Sequence, residues 1–339
     1  MRWIPMSWVK FILFLAGIGL FAWLIKSAGP RALFHSFQQV GWPFLFLFLP
    51  YLLVYLFDAI GWQVAFHHRP KELGFVRLFL VRTAGESLNN TLPSAYLGGE
   101  PVKALLLKRF HVDMAEAASS VIVAKTTMTI AQIMFILVGF GAFYLASERS
   151  IAIPGLLPGI LLLLGIGVFG IGVLVRWQRT GFTRPLMRLA ENIGFLARKL
   201  KRHQKGLLRL DANLLRFHAE DGGKFWISTA WFLGGWVIGT LEVYLFGVLF
   251  DVPLSILDAV AIEALSTMVR TMGFIIPGSV GVQEGGIVLL FLAVGQSTLA
   301  GVSFSLVRRV RELVWIGLGF GLLGWYGWRG HGTLESLEK

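Results

Sequence analysis

Two carboxylates in otherwise uncharged apolar segments are the residues of this sequence best placed to do chemistry. Asp58 is the only charged residue within 44–66, and Glu242 is the only one within 227–250. A carboxylate at the centre of a membrane helix costs about 2.5–3.5 kcal/mol, so each must face the protein interior and hold a cationic partner or a proton. A buried ion pair, proton coupling and contact with a substrate all remain open. The basic residues expected as partners are Arg82, Lys125, Arg270 and Arg309.

Two polar stretches interrupt apolar sequence in a related way. In the first, Pro93 is expected to end a helix, and the pair Gly98-Gly99 allows a tight reversal. The second begins with Pro277, which is followed by further glycines. The helix after each turn begins with free N–H groups, which suit an anion such as a lipid phosphate. Glu100 could cap those groups instead, and pure turn formation is the alternative to a functional site.

Further ionisable and amide side chains lie in these stretches and on long apolar segments. Basic residues at membrane depth indicate contact with a substrate or with acidic partners. If 297–311 were a cytoplasmic loop, its arginines would be ordinary markers of the cytoplasmic side. The residues predicted to line a substrate pathway are Asp58, Arg82, Glu86, Asn89, Asn90, Pro93, Gly98, Gly99, Glu100, Lys103, Lys125, Glu242, Glu263, Arg270, Pro277, Gly281, Gln283, Glu284, Arg308 and Arg309.

Signals of enzyme chemistry are weak. The sequence has no cysteine, no His-Glu-x-x-His metal motif and no Gly-x-x-x-x-Gly-Lys-Ser/Thr nucleotide motif. Carboxylates alone are too general to indicate a general base. We therefore predict a protein that is not an enzyme, with no catalytic residue, no metal and no cofactor.

Composition defines the elements that must position these side chains. Of 339 residues, 55% are hydrophobic and 15% are charged, and the mean hydropathy is +0.70. Soluble domains carry roughly 25% charged residues, which excludes a cytosolic enzyme. The sequence predicts an all-α polytopic membrane protein, a single integral membrane domain over 1–339, with six crossings and two re-entrant helical hairpins. The crossings are expected at 8–25, 44–66, 117–147, 156–175, 227–250 and 298–328, and the hairpins at 73–111 and 254–296.

The long polar stretch 176–224 predicts the orientation. It holds twelve Lys and Arg against four acidic residues, a net +8 of the +12 for the whole chain. The positive-inside rule places it in the cytoplasm, and both termini with it. Its apolar residues recur every three or four positions, which predicts a basic amphipathic helix resting on anionic lipids, with protein docking as the alternative. No nucleic-acid-binding motif is present, so no nucleic-acid partner is expected.

Polar positions of the first half recur 184 residues later. This predicts an internal repeat, with units at about 1–147 and 156–330. Three predicted crossings separate the hairpins, so the two units would face opposite sides of the membrane. Inverted repeats whose broken helices meet near the midplane are the plan of secondary transporters. The superimposed pairs are Asp58 with Glu242, Pro93 with Pro277, Glu100 with Glu284 and Lys125 with Arg309. Around them, the run 82–85 resembles the run 270–273 at an offset of 188, which would mean four extra residues in the first hairpin.

The runs 89–100 and 277–284 resemble the flippase-like transmembrane domain of lysylphosphatidylglycerol synthases and its stand-alone bacterial relatives. The runs 235–236 and 308–313 are similar to the branch associated with hopanoid biosynthesis. Lys103 departs from the pattern, since an arginine is expected after the glycine pair. The resemblance implies translocation of a lipid or lipid-linked headgroup across the bacterial inner membrane. It implies no synthase activity, because the soluble aminoacyl-transfer domain is missing from this sequence.

The leading hypothesis is a lipid flippase-like transporter with a link to hopanoid metabolism. Its partners would be membrane lipids, including anionic lipids at 176–224. One alternative is a membrane enzyme that modifies a lipid headgroup, with Glu86 or Glu100 as a general base. Another is a scaffold that holds lipid biosynthetic enzymes through 176–224.

Overall fold

The computed structural model describes residues 6–92, 97–146, 156–191, 194–273 and 275–335. Regular structure in these ranges consists of thirteen α-helices and short 3₁₀ turns, without a β-strand. The first six α-helices are α1 (Met6–Ala28), α2 (Pro30–Val40), α3 (Leu49–Val64), α4 (Phe75–Thr91), α5 (Glu100–Leu107) and α6 (Met114–Ala146). The others are α7 (Leu156–Thr180), α8 (Thr183–Glu191), α9 (Gly194–Glu220), α10 (Gly222–Leu249), α11 (Ile256–Met272), α12 (Val282–Ala293) and α13 (Thr298–Glu335).

Three helical segments of the described chain are long and apolar enough to cross a membrane. They are Trp42–Val64, Met114–Leu145 and Gly222–Leu249, and two shorter apolar segments are Leu15–Ala28 and Pro277–Ala293. The chain is therefore an all-helical membrane protein, as its composition predicts. Six crossings remain a prediction.

The last apolar run forms one continuous helix. α13 contains the basic cluster of the C-terminal part, and Arg308 and Arg311 within it are 5% and 2% exposed. A loop at 297–311 with solvated arginines is therefore wrong. Burial of a guanidinium requires acidic partners, and these belong to the site described below.

Each predicted hairpin consists of two helices that pack against each other across a break. Residues 92–99 separate α4 from α5, and Pro93, the expected helix end, lies outside the described residues. Residues 273–281 separate α11 from α12. Gly278 and Gly281 in this second break have φ of 63° and 83°, a conformation that glycine adopts at little cost. The re-entrant path of both hairpins stays a prediction.

The two halves of the chain interlock through their hairpins. α3 packs on α10, α13 packs on α4, and α6 packs on α11. Under the 184-residue shift α4 corresponds to α11 and α6 to α13, so the last two contacts are equivalent. Each hairpin is thus held by the long helix of the other half. The repeat bounds 1–147 and 156–330 stay predictions.

The basic stretch is helical and packs on the core through one face. The Asp211 carboxylate accepts hydrogen bonds from the backbone N–H groups of Phe182 (3.1 Å) and Thr183 (2.9 Å), which caps the start of α8. Leu214 and Phe217 of α9 are buried in the core. Exposed basic side chains of α9 are Arg202, Lys205, Arg209 and Arg216. Its cytoplasmic location and lipid contact stay predictions.

Candidate functional site

A cavity of about 230 Å³ lies between the two halves of the chain. Helices α3, α4 and α6 of the first half line it together with α10, α11 and α13 of the second half. Its walls carry many ionisable side chains, which are rare inside membrane proteins and mark substrate or ion pathways. The charged residues among them are Asp58, Arg82, Glu86, Lys125, Glu263, Arg270, Arg308 and Arg311.

Asp58 forms a buried ion pair with Arg82. The pair joins α3 to the first hairpin helix, α4, and both side chains are nearly inaccessible to solvent. Gly235 of α10 packs closely against it, since a Cβ at this position would lie 3.0 Å from Asp58 Oδ1. A larger residue at 235 would displace the carboxylate.

Lys103 neutralises two carboxylates of the first hairpin. Its Nζ donates to Glu86 Oε1 at 2.5 Å and to Glu100 Oε1 at 3.1 Å. Glu100 also faces Lys125 of α6, whose Nζ is 3.8 Å away. Lys103 has 7% of its side chain exposed, whereas Lys125 has 26%. Lys125 is therefore the more open of the two cations.

The turn of the first hairpin is closed by the protein's own side chains. Asn89 Oδ1 accepts the Gly99 N–H at 2.7 Å, and Asn89 Nδ2 donates to Glu100 Oε1 at 2.8 Å. A Cβ on Gly99 would lie 1.9 Å from the Gly85 carbonyl oxygen, so only glycine fits. Because Asn89 already accepts a hydrogen bond from this N–H, no bound anion is needed to satisfy it.

The second half carries a denser ion-pair network. Glu242 pairs with Arg311, and its Oε2 also lies 3.8 Å from Arg308 Nη2. Arg308 pairs with Glu263 and donates from Nη1 to Ser266 Oγ at 2.7 Å. α13 is thereby tied to both α10 and α11.

Glu284 closes the turn of the second hairpin. Its Oε2 accepts the Gly281 N–H at 2.6 Å, and its Oε1 pairs with Arg309 of α13. Arg309 Nη1 is 2.9 Å from Glu312 Oε2, and Gln283 Nε2 donates to Glu312 Oε1 at 2.8 Å. The start of α12 is thus capped by its own carboxylate and fixed to α13.

One arginine bridges the two hairpins. Arg270 of α11 donates from Nη2 to Asn90 Oδ1 of α4 at 2.6 Å. Its Nη1 is 4.0 Å from Glu312 Oε1, and its side chain is 26% exposed. Nearby, the turn that begins at Pro277 presents the Gly278 carbonyl oxygen to a guanidinium of α13 at 3.2 Å. The hairpins therefore meet at the cavity.

Aromatic rings of α3 cover two of the arginines. Tyr51 lies under the Arg311 guanidinium, 3.5 Å from ring centre to Cζ, and Tyr55 lies 4.6 Å from Arg82 Cζ. Tyr55 also stacks on Trp315 of α13 with ring centres 4.1 Å apart. Such contacts stabilise a cation away from water without neutralising its charge.

A polar junction joins the loop after α3 to the first turn of α6 and to Asp221, the residue before α10. Glu116 Oε1 accepts the backbone N–H of His67 at 2.9 Å, and His67 Nδ1 is 2.6 Å from Asp221 Oδ2. Burial raises the pKa of Asp221, but hydrogen bonds from His67 and Lys224 outweigh burial and hold that pKa below its ordinary value. The carboxylate therefore stays ionised at neutral pH.

The structure brings eight of the predicted pathway residues to the cavity wall: Asp58, Arg82, Glu86, Asn90, Lys125, Glu263, Arg270 and Arg308. Eleven others are not among the lining residues: Asn89, Gly98, Gly99, Glu100, Lys103, Glu242, Pro277, Gly281, Gln283, Glu284 and Arg309. Pro93 lies outside the described residues.

The predicted partners of the two carboxylates were half right. Arg82 was among them and pairs with Asp58. For Glu242 the expectation is wrong, because Arg311 and Arg308 take that place. Arg311 is absent from the predicted pathway residues, as are Tyr51, Tyr55 and Trp236 of the lining. The signal that could have found Arg311 is its place in the basic run 308–311 of an otherwise apolar segment, where a charge needs a buried partner.

Comparison with known proteins places this chain among membrane proteins. The family model described as lysylphosphatidylglycerol synthase TM region matches residues 7–321. A UPF0104 membrane protein of Methanothermobacter thermautotrophicus is 20% identical over 311 residues, which cover 88% of this chain and 90% of the relative. No solved structure matches. Neither match identifies a hopanoid branch, which stays a prediction. The chain therefore belongs to the family of the transmembrane region of lysylphosphatidylglycerol synthases.

Proposed function

We propose that this protein is a flippase-like lipid transporter that moves a lipid or lipid-linked headgroup across the bacterial inner membrane. The observation that carries the proposal is the charged cavity enclosed by both halves of a chain whose composition is that of a membrane protein. We further propose that the chain has no catalytic activity, that both termini are cytoplasmic and that the protein is linked to hopanoid metabolism.

The cavity is costly to maintain, which supports a role beyond stability. A buried ion pair is often no more stable than well-packed apolar residues of similar volume. Here Asp58 and Arg82, Glu242 and Arg311, and Glu263 and Arg308 are all paired inside apolar helices. Retention of so many charges beside an open volume fits a polar path for a headgroup.

An apolar groove beside the cavity supplies a place for lipid tails. It has a volume of about 800 Å³ and lies between α4 and α13, where Leu80, Leu318 and Trp325 are among its lining residues. Trp315 lines the groove and stacks on Tyr55, which lines the cavity. The cavity and the groove therefore adjoin at this aromatic pair, so a headgroup could enter the cavity while its tails stay in the groove.

The interlocked packing of the halves supports alternating access by an inverted repeat. The equivalent contacts of α13 with α4 and of α6 with α11 are those that a two-fold arrangement of the halves requires. The Arg270 to Asn90 hydrogen bond lies where the hairpins meet. Movement of one hairpin against the other would break this contact and open the cavity to one side at a time.

Reconstitution into vesicles tests the proposal. We expect vesicles containing the protein to expose headgroup-labelled lipid of the inner leaflet to an outside quencher faster than protein-free vesicles do. Lys125→Gln at the cavity should slow this exchange, whereas the matched Lys205→Gln on the exposed face of α9 should not. Equal exchange with and without protein, at any pH gradient, contradicts transport. Chemically altered lipid recovered from the vesicles would point to a membrane enzyme instead.

A further inference from the structure

The buried side-chain atoms of the lining residues that lack a hydrogen-bond partner are all donors. Four lining residues each keep one buried N–H for which the described residues offer no partner: Arg82 Nη1, Trp236 Nε1, Arg308 Nε and Arg311 Nε. Among the described side chains of the lining, no buried acceptor is left in the same state. Arg82, Arg308 and Arg311 are 5%, 5% and 2% exposed, so bulk water does not solvate these donors. A ligand that completes them must bring acceptors.

The charged side chains that line the cavity also favour a ligand that brings acceptors. Five basic and three acidic side chains line the cavity. Each cation has a carboxylate partner, but the partners of Lys125, Arg270 and Arg311 do not line the cavity, so basic groups outnumber acidic groups at its surface. Counting by helix, α6, α11 and α13 supply four of the five cations, and the acidic residues are already engaged by Arg82, Lys103 and Arg308. A cationic headgroup would have to displace one of these partners.

Two of the basic side chains are the most accessible of the set. Lys125 and Arg270 are each 26% exposed, and their ion-pair distances to Glu100 and Glu312 are 3.8 and 4.0 Å. At these distances an entering anion competes with the two carboxylates more readily than it would at a short charge-assisted hydrogen bond. Arg270 can keep its 2.6 Å hydrogen bond to Asn90 while its other nitrogens bind the anion. The two side chains come from α6 and α11, on opposite sides of the predicted repeat.

We propose that the cavity binds an anionic headgroup that carries a phosphate, and that it disfavours headgroups with a net positive charge. This inference rests on the proposed function and names its substrate class. Lys125 and Arg270 contact the phosphate oxygens first, and the guanidinium groups of Arg82 and Arg308 complete the site when their side chains turn inward. A volume of about 230 Å³ is below the roughly 300–1,000 Å³ of sites for drug-sized ligands, so it holds the headgroup and excludes the tails.

Thermal stability of the purified protein in a neutral detergent tests this without requiring transport. The probes are dihexanoyl phosphatidic acid, uncharged dihexanoylglycerol with the same tails, a dihexanoyl lipid with a quaternary ammonium headgroup, and inorganic phosphate. Measurements at about 1 M salt, where the Debye length is only about 3 Å, suppress binding at the exposed basic face of α9. We expect the phosphatidic acid alone to raise the melting temperature by several degrees.

Variants separate the cavity from the surface and from simple unfolding. Lys125→Gln with Arg270→Gln should weaken the phosphatidic acid response roughly ten- to hundredfold in apparent affinity, because two charge-assisted contacts are lost. The charge-preserving pair Lys125→Arg with Arg270→Lys should restore most of it, and Lys205→Gln should respond as the unaltered protein does. If the double Gln variant fails to fold, each single Gln variant must still bind the phosphatidic acid more weakly than its charge-preserving counterpart.

Each outcome decides the inference separately from transport. Equal stabilisation by the phosphate and ammonium lipids overturns it while leaving a transporter intact. An equal response to inorganic phosphate supports the anion site and overturns its assignment to a lipid. Selective binding of phosphatidic acid without lipid exchange in vesicles supports the site and contradicts the proposed function.

Discussion

The two halves of the molecule neutralise corresponding carboxylates in different ways. Asp58 of α3 takes its arginine from the neighbouring hairpin helix, as Arg82. Glu242 of α10, which lies 184 residues later, takes its arginine from the last long helix, as Arg311. The residue 184 positions after Arg82 is Ser266, and its hydroxyl accepts a hydrogen bond from Arg308 of that same helix. A guanidinium therefore lies beside each carboxylate. It comes from the hairpin helix α4 in the first half and from the long helix α13 in the second.

This difference indicates that charge balance at the interface is what the two halves share. In the first half, one ion pair ties a hairpin directly to its neighbour α3. In the second half, α13 carries the cations and holds α10 and α11 together. We therefore expect the attachment of the first hairpin to α3 to depend on a single ion pair, and the attachment of α10 and α11 to α13 to depend on a network with partial replacement of lost partners.

The largest expected effect is the loss of Glu242. Glu242→Gln leaves Arg311 without its carboxylate and weakens the compensation of Arg308, at a site that is 1% exposed. Removal of one partner of a buried pair costs about 3–5 kcal/mol of unfolding free energy. Asp58→Asn should cost less, because Asp58 has one arginine partner whereas Glu242 serves two. Denaturation of both variants in detergent checks this, and a larger loss for Asp58→Asn would contradict the network description.

Substitutions to alanine at the corresponding positions 99 and 283 of the two turns should differ in their cost in stability. Gly99→Ala places a Cβ 1.9 Å from a backbone oxygen, and overpacking of this kind costs about 1–3 kcal/mol. The residue 184 positions later is Gln283, and Gln283→Ala removes one hydrogen bond to Glu312, worth about 1 kcal/mol. Melting temperatures of the two variants give the comparison. An unaffected Gly99→Ala protein would show that the first turn is not closed as described.

Double-mutant cycles measure the interaction energy between the two residues of each ion pair. For Asp58→Asn with Arg82→Gln we expect a coupling energy of about 1–3 kcal/mol, since each residue is the other's direct ion-pair partner. For Glu242→Gln with Arg311→Gln we expect a smaller value, because Arg308 lies 3.8 Å from Glu242 and replaces part of the lost charge. Unfolding free energies of the six variants supply both cycles. Equal coupling energies in the two halves would contradict the difference between a single ion pair in the first half and a network in the second.

The smallest expected effect concerns the residue that replaces Arg82 in the second half. Ser266→Ala removes one hydrogen bond from Arg308, which keeps its ion pair with Glu263. We expect a loss of about 1 kcal/mol in unfolding free energy. The matched Ser305→Ala on α13 removes only a hydrogen bond within that helix and should change stability less. A loss as large as that of Glu242→Gln would mean that Ser266 does more than orient the arginine.

Sequence alone identified the two buried carboxylates, because a charge in an apolar helix is rare and costly. It could not assign Arg311 to Glu242, since 69 positions separate them and the rotation of α13 against α10 depends on packing. Tyr51 and Tyr55 were missed because an aromatic residue in an apolar run resembles ordinary core until its cation is known. The packing of each hairpin against the long helix of the other half was likewise not predictable from the pattern of residues along the chain.

Side-specific labelling of the second hairpin tests the inverted arrangement of the halves most directly. The chain has no cysteine, so Ile256→Cys and Ser297→Cys can be labelled singly at exposed positions before α12 and after it. Lys205→Cys on α9 reports the side of the basic stretch, which we predict to be cytoplasmic. We predict that positions 256 and 297 both react with a membrane-impermeant thiol reagent from the side opposite to 205. Labelling of 256 and 297 from opposite sides would mean that the segment crosses the membrane, and would contradict the inverted repeat and the shared cavity.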